Sequence, residues 1–184
     1  MRLFIGIEFP PQVLAALVDC QNRLRTSAKS GRFKRQENFH LTLKFLGEVT
    51  ADRVGDFTGP LTGIAQQNHP FSLRLGWMGQ FGNNNPIRVV WVDVAGETEA
   101  LHILQTKVEQ VTVDLGFEPE IRRWRPHITL AQDVEPAGDG LSWPEDLLDP
   151  AAFTVTEFAL ILSKEQDRRR IYTPIQRFAL GGCR

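Results

Sequence analysis

Cysteine is nearly absent from this chain: Cys20 and Cys183 are the only two among 184 residues. One falls in a predicted helix and the other in the tail, so the sequence supports neither a disulfide framework nor the paired spacing of a metal knuckle, and a reducing cytoplasm fits best. An excess of charge of either sign is lacking as well. With 21 Lys and Arg against 22 Asp and Glu, the formal net charge is -1. That removes the global basic signature of a nonspecific nucleic-acid binder and confines any nucleic-acid contact to local patches. No apolar run reaches membrane-spanning length, and the opening Met1 to Pro10 has too short an apolar run and too early a Glu8 for a signal peptide. What remains is an ordinary globular composition, 42% apolar and 23% charged, long enough for a single domain of two intimately packed lobes over residues 1–184. No obligate protein partner is indicated.

Histidine is rare too, at 4 residues, yet two of the four stand in the same tetrapeptide: His40-Leu41-Thr42-Leu43 and His127-Ile128-Thr129-Leu130, 87 residues apart. With 12 Thr and 20 Leu in the chain, a given His is followed by Thr at +2 and Leu at +3 by accident with a probability of about 0.007. One copy alone equally describes a half-buried strand with a polar outer face; the recurrence is what carries information. In a strand, His40 and Thr42 share one face and Leu41 and Leu43 the other, and the second copy repeats the division. Two such strands bury their aliphatic faces and set two imidazoles and two hydroxyls around one cleft.

The remaining pattern is mixed. Arg2 to Phe9 alternates as a strand, and Pro10-Pro11 opens a helix with Val13, Leu14, Leu17, Val18 and Leu24 on one face, ending before Gly31. A basic loop over Gly31 to Arg35 leads to the first motif. Thr50 is placed to cap a second helical region reaching about Gln67, broken or kinked at Gly59-Pro60 and closed by the Asn68-His69-Pro70 turn. Phe71 to Leu75 and Ile87 to Val94 read as strands, with Gly82 to Pro86 between them. Gly96 precedes a helix with Leu101, Leu104, Val108 and Val111 at helical spacing and Gly116 just past its end. After the second motif, Gln132 to Pro150 reads as a surface loop, and Thr154 to Leu162 with Ile171 to Leu180 as a hairpin joined through Lys164 to Arg170. The halves rhyme, which predicts a two-lobed α+β fold with pseudo-twofold symmetry, mostly antiparallel sheets and a central cleft.

Paired histidines suit phosphodiester hydrolysis. Opening a cyclic phosphodiester needs one group to take a proton from water and another to protonate the departing ribose oxygen, and an imidazole titrating near about 6.5 serves either role. Threonine hydroxyls donate to the nonbridging oxygens. Neither motif has an acid at ligand spacing, so no metal is called for. Arg32, Lys34, Arg35, Lys44, Arg122, Arg123 and Arg125 flank the motifs as candidate phosphate contacts, with Lys44 on the face of His40 and Thr42 by alternation. Phe39, Trp91, Trp124 and Tyr172 are candidates for base stacking, core packing being the default for Phe39 and Trp91. Arg168-Arg169-Arg170 reads as a basic lip or a charged hairpin tip. His69 and His102 read as surface or packing residues.

At Arg2 to Ile7, at Asn38 to Val49 and at Arg125 to Ala131 the chain resembles the two-histidine phosphoesterase superfamily, and more narrowly the RNA 2′,3′-cyclic phosphodiesterases once described as 2′-5′ RNA ligases. The resemblance implies a bilobal fold and metal-independent hydrolysis of RNA 2′,3′-cyclic phosphate ends to 2′-phosphomonoesters. By the same resemblance His40 is the proton donor, His127 the proton acceptor, and Thr42 and Thr129 hold the phosphate, whereas the residue chemistry alone leaves acid and base unassigned. Lys44, Arg125, Trp124 and Tyr172 are the further substrate-binding candidates. Relatives often carry Arg where this chain has Gln132, with Arg125 or Lys44 available to supply that charge. With an RNA 5′-hydroxyl replacing water, the same site is expected to form a 2′-5′ junction reversibly. The alternatives are a phosphodiesterase acting on 2′-5′ linkages or small cyclic nucleotides, and a noncatalytic RNA-end binder.

Overall fold

The computed structural model describes residues 1–82, 85–138, 140–141, 152–167 and 169–181. In chain order these form β1 (Arg2–Ile7), α1 (Pro11–Thr26), β2 (Ala28–Phe33), a 3₁₀ turn at Gln36–Asn38 and β3 (Leu41–Glu48). A 3₁₀ stretch at Ala51–Phe57 then runs directly into α2 (Thr58–Gln66), followed by β4 (Phe71–Phe81), β5 (Ile87–Gly96), α3 (Thr98–Asp114), β6 (Ile128–Pro136), β7 (Phe153–Val155), β8 (Glu157–Gln166) and β9 (Arg169–Ala179).

The strands build two sheets, one ordered β3-β1-β8-β9 and the other β2-β6-β5-β4-β7. Every pairing among the described residues is antiparallel. Each sheet carries one His-x-Thr-Leu motif, on β3 and on β6. The helices lace the sheets together. Helix α1 leaves β1 of the first sheet and packs on β2 and β6 of the second, while α3 leaves β5 of the second and lies against β3 of the first. One buried apolar cluster therefore extends from Leu3 and Leu43 to Val90 and Leu130. Among the described residues no helix is long and apolar enough to cross a membrane.

Local sequence accounts for the helices. Pro11 occupies the first turn of α1, where its missing N–H costs nothing, and Val13, Leu17, Cys20 and Leu24 recur on the buried face. Helix α3 buries Leu101, Leu104 and Val108, and Gly116 takes the left-handed conformation just past its end, at φ 87°. Burial pushes the Cys20 thiol up to about 11, so it behaves as a small apolar side chain. Cys183 lies outside the described residues.

Several expected boundaries move. Gly31 to Phe33 is not loop but the end of β2, a strand made by pairing with β6 rather than by propensity, since Ala-Lys-Ser-Gly-Arg-Phe has little that favours a strand. The loop expected from Gln132 begins only after Pro136, because β6 continues between β2 and β5; 142–150 lie outside the described residues. The Gly59-Pro60 pair does not break α2, since proline is tolerated in a first turn; the helix changes type one step earlier, between Phe57 and Thr58. Thr50 stands before the 3₁₀ stretch but its side chain makes no capping bond there. The strand expected at Thr154 to Leu162 is divided at Thr156: β7 pairs with β4 in the second sheet, and β8 pairs with β1 and β9 in the first. The β8–β9 ladder runs out to Gln166 and Arg169, so most of the expected connection is strand; Arg168 lies outside the described residues, as do Asn83 and Asn84 of the β4–β5 connection.

Trp91 lies over Gly79 across the β4–β5 ladder, and a Cβ at residue 79 would overlap its indole. Gly79→Ala is expected to lower unfolding free energy by about 2 kcal/mol through overpacking, measured by urea denaturation; an unchanged midpoint would contradict this close approach.

Candidate active site

Alternation starts each motif correctly and then fails at the same place. Leu41, Leu43, Ile128 and Leu130 are buried, while His40, Thr42, His127 and Thr129 line one cavity of about 260 Å³ between the sheets. The ladder register then jumps, from Gly6 opposite Thr42 to Ile5 opposite Lys44, and from Trp91 opposite Thr129 to Val90 opposite Ala131. Leu43 and Leu130, the last residue of each motif, are therefore β-bulges, each inserting one extra residue and reversing the phase of the strand. Lys44 consequently turns to the buried side at 6% exposure, and Phe45 reaches the cavity; in the second motif Ala131 is buried and Gln132 reaches the cavity. The expectation that Lys44 shares the face of His40 and Thr42 fails for this reason.

The two histidines are held alike. His40 Nδ1 lies 2.8 Å from the carbonyl oxygen of Asn38, and His127 Nδ1 lies 2.9 Å from that of Arg125, in each case two residues earlier. A carbonyl only accepts, so Nδ1–H donates in both rings and Nε2 is left for a ligand. An aromatic edge supports each imidazole: Tyr172 against His40 at 4.9 Å and 87°, Phe81 against His127 at 5.1 Å and 85°. Phe4 also packs on His40, with ring centroids 4.7 Å apart.

Burial lowers the pKa of both rings. His40 falls to about 4, chiefly through desolvation, opposed by its bond to the Asn38 carbonyl and reinforced by the charges of Lys34 and His127. His127 is also lowered, by desolvation first, with Arg125 adding to the effect and the Arg125 carbonyl and Asp93 opposing it. Burial thus favours the neutral form of both imidazoles. The rest of the lining favours an anion: Arg2, Lys34 and Arg170 supply positive charge, Ser163 and Tyr172 add hydroxyls, and among the described residues no carboxylate lines the cavity.

The other sequence candidates divide. Tyr172 lines the histidine cavity. Lys44, Trp124 and Arg125 instead line a neighbouring space of about 520 Å³ that shares Thr42, Phe45 and His127 with the first and that Arg122 and Arg123 also line. Lys44 Nζ donates to Glu109 Oε1 at 2.6 Å and to the Glu118 carbonyl at 2.7 Å, so its charge is already neutralised. Trp124 Nε1 donates to the Thr42 carbonyl at 3.2 Å, and the Arg125 guanidinium sits 5.0 Å from the Trp91 ring. Neither Arg125 nor Lys44 lines the cavity that Gln132 reaches. Phe39 and Trp91 are core, and His102, bonded to the Thr98 carbonyl and edge-on to Trp124, lies away from the cavity. Arg2, Phe4, Phe45, Phe81 and Ser163 escape the sequence reading as site residues, because long-range pairing brings them in; only the alternation of β1 offers any sign, by placing Arg2 and Phe4 on one face. Lys34 and Arg170 stand out in the sequence only as members of basic clusters.

The LigT-like phosphoesterase family matches residues 7–91. RNA 2′,3′-cyclic phosphodiesterases of Thermus thermophilus and Escherichia coli are 32% and 30% identical to this chain over 99% and 97% of its length, and the matches cover 91% and 96% of theirs. The protein of the same name from Geobacillus stearothermophilus is 31% identical over 83% of the chain, which spans 48% of that longer relative. Among solved structures, Escherichia coli LigT complexed with 3′-AMP superposes with a TM-score of 0.80 at 30% identity over 97% of each chain. A Thermus thermophilus structure superposes with a TM-score of 0.85 at 27% identity over 99% of each.

Lys44→Met strands Glu109 beside a buried apolar side chain, and stability is expected to fall by about 3 kcal/mol. Lys44→Met combined with Glu109→Leu should recover most of that loss in chemical denaturation. A double variant as unstable as the single one would show that Lys44 does more than neutralise Glu109.

Proposed function

Because the chain belongs to the LigT-like phosphoesterases, we propose that it hydrolyses RNA 2′,3′-cyclic phosphate ends to 2′-phosphomonoesters, acting as one two-lobed unit with residues of both lobes on a single phosphate. The observation that carries this reading is the matched pair of imidazoles, each with Nδ1 committed to a carbonyl two residues earlier and Nε2 left to a cavity rich in cations. Water attacks phosphorus, the bond from phosphorus to the ribose 3′ oxygen breaks, one ring takes the water proton and the other protonates the leaving oxygen. Following the family resemblance, His40 donates and His127 accepts. The Thr42 and Thr129 hydroxyls donate to the nonbridging oxygens, where negative charge is held through the transition state.

The depressed pKa of His40 fits a donor that is charged by its substrate. An anion between the rings favours the imidazolium form, so binding raises the pKa that burial has lowered. Ligation to a 2′-5′ junction is the same displacement with an RNA 5′-hydroxyl in place of water: its oxygen bonds to phosphorus, the bond to the 3′ oxygen breaks, and the reverse step cleaves a 2′-5′ linkage back to the cyclic phosphate. The scarcity of cysteine and the burial of Cys20 fit residence in the reducing cytoplasm.

Phosphorus NMR on a short RNA ending in a 2′,3′-cyclic phosphate, in EDTA, tests the reading directly. Wild type is expected to yield the 2′-phosphate, and His40→Ala and His127→Ala to lose activity by roughly 10²- to 10⁴-fold. A 3′-phosphate product, or turnover that survives loss of either ring, would sink it.

The pH dependence has a definite sign. The free protein sets the profile of kcat/KM, so both limbs of that bell should fall below the ordinary imidazole value of about 6.5, because both rings are lowered. The complex sets the profile of kcat, which should be displaced to higher pH because bound phosphate favours both cationic forms. Coincident profiles would show that the substrate does not charge the rings.

A further inference from the structure

The cations around the histidines are not equivalent. Arg170 is engaged by Glu165 at 3.4 Å, Arg32 by Asp133, and Arg35 by Glu37 at 2.6 Å. Lys34 lies among them, yet among the described residues its ammonium enters no ion pair. Arg32 and Arg170 add positive charge around it, and no carboxylate is among the groups that act on the Lys34 ammonium. A partly buried ammonium in such company carries an unfavourable desolvation and repulsion that an arriving anion relieves.

Its backbone is fixed with unusual redundancy. The Lys34 N–H donates to the Leu130 carbonyl at 2.8 Å, and the Gln21 amide, itself buried on α1, donates to both the Lys34 carbonyl at 2.7 Å and the Leu130 carbonyl at 2.8 Å. Residue 34 is therefore pinned to the bulge of the second motif, and its side chain lines the same cavity as His40, Thr42, His127 and Thr129. From the second sheet the cavity also receives Gln132, which is uncharged, so Lys34, just past the end of β2, is the basic side chain on that side, while Arg2 and Arg170 come from the first sheet.

We propose that Lys34 is a catalytic residue of this site, its ammonium binding a nonbridging oxygen of the substrate phosphate opposite Arg170. The inference rests on the reading of the cavity as a phosphate site. A phosphate drawn in by Lys34 also screens that ammonium from His40, whose protonation Lys34 opposes in the free protein.

The test uses the full chain, inorganic phosphate as probe, and NMR of the His40 and His127 ring signals. Lys34→Ala is expected to weaken phosphate binding roughly ten- to a hundred-fold, as loss of a charge-assisted hydrogen bond does, and Lys34→Arg to keep most of it. In Lys34→Ala without phosphate, the His40 titration should move to higher pH, while His127, on which Arg125, Asp93 and the His40 ring act rather than Lys34, should not move upward with it. That split separates a direct electrostatic role from general loosening of the fold, which would move both rings. Wild-type phosphate affinity in Lys34→Ala, absence of phosphate binding by the wild type, or an unmoved His40 would each overturn the proposal. Loss of phosphate affinity in Lys34→Ala with no cyclic-phosphate turnover by the wild type would instead leave Lys34 as an anion anchor and remove the proposed reaction.

Discussion

Everything at the site depends on two strands losing their register at one residue each. A strand that kept its alternation through His40, Thr42 and Lys44 would aim a lysine at the cleft and bury Phe45. The bulge at Leu43 exchanges them, and the bulge at Leu130 makes the same exchange between Ala131 and Gln132. The Leu residue of each motif is thus both a core side chain and the extra residue that re-aims the strand, which gives a structural reason for ending the tetrapeptide on a large apolar group. Because the same break occurs in both sheets, the two imidazoles meet the cavity in matched surroundings despite the absence of sequence identity beyond the motifs.

Matched half-sites need a fixed spacing, and the contacts that set it lie in the neighbouring cavity. Lys44 ties β3 to Glu109 on α3 and to the carbonyl of Glu118; Glu109 Oε1 also accepts the backbone N–H of Glu120 at 2.8 Å; Trp124 reaches back to the Thr42 carbonyl. The segment that leads into the second motif is in this way clasped to the strand of the first. A buried ion pair contributes little net stability against an apolar alternative, and here its geometric effect, holding residues 118–124 against β3, is the more evident one. The cleft is assembled from halves that each depend on the other for alignment.

Much of this is legible in the amino-acid sequence. The recurrence of His-x-Thr-Leu identifies four of the residues that line the cavity, and helical spacing places α1 and α3 within a few residues of where they lie. The α+β character and the antiparallel sheets follow from hairpin signals. The bulges are not legible, because Leu43 and Leu130 look like any other buried strand residue and the register is set by Gly6, Ile5, Trp91 and Val90 on other strands. Nor is β2, whose composition does not favour a strand and which exists because β6 offers it a partner. Ser163 is invisible as a site residue, and Arg2 nearly so, for a related reason: their positions depend on ladders closed between segments far apart in the chain. The same ladders single out Lys34 and Arg170 from basic clusters whose members look alike in sequence. Lys44 is misplaced by a rule that holds for a regular strand and fails one residue after a bulge.

The passage of the chain from β7 into β8 has a mechanical side. Only Thr156 separates a strand of one sheet from a strand of the other, and the Leu180 N–H bonds its carbonyl at 2.8 Å. From that junction β8 runs seven residues to Ser163 at the cavity, an arm of about 23 Å at the usual rise of a strand. Over such an arm a rotation of about 3° at Thr156 would correspond to roughly 1 Å at Ser163, so the placing of that hydroxyl is sensitive to the angle at which the chain passes between the sheets.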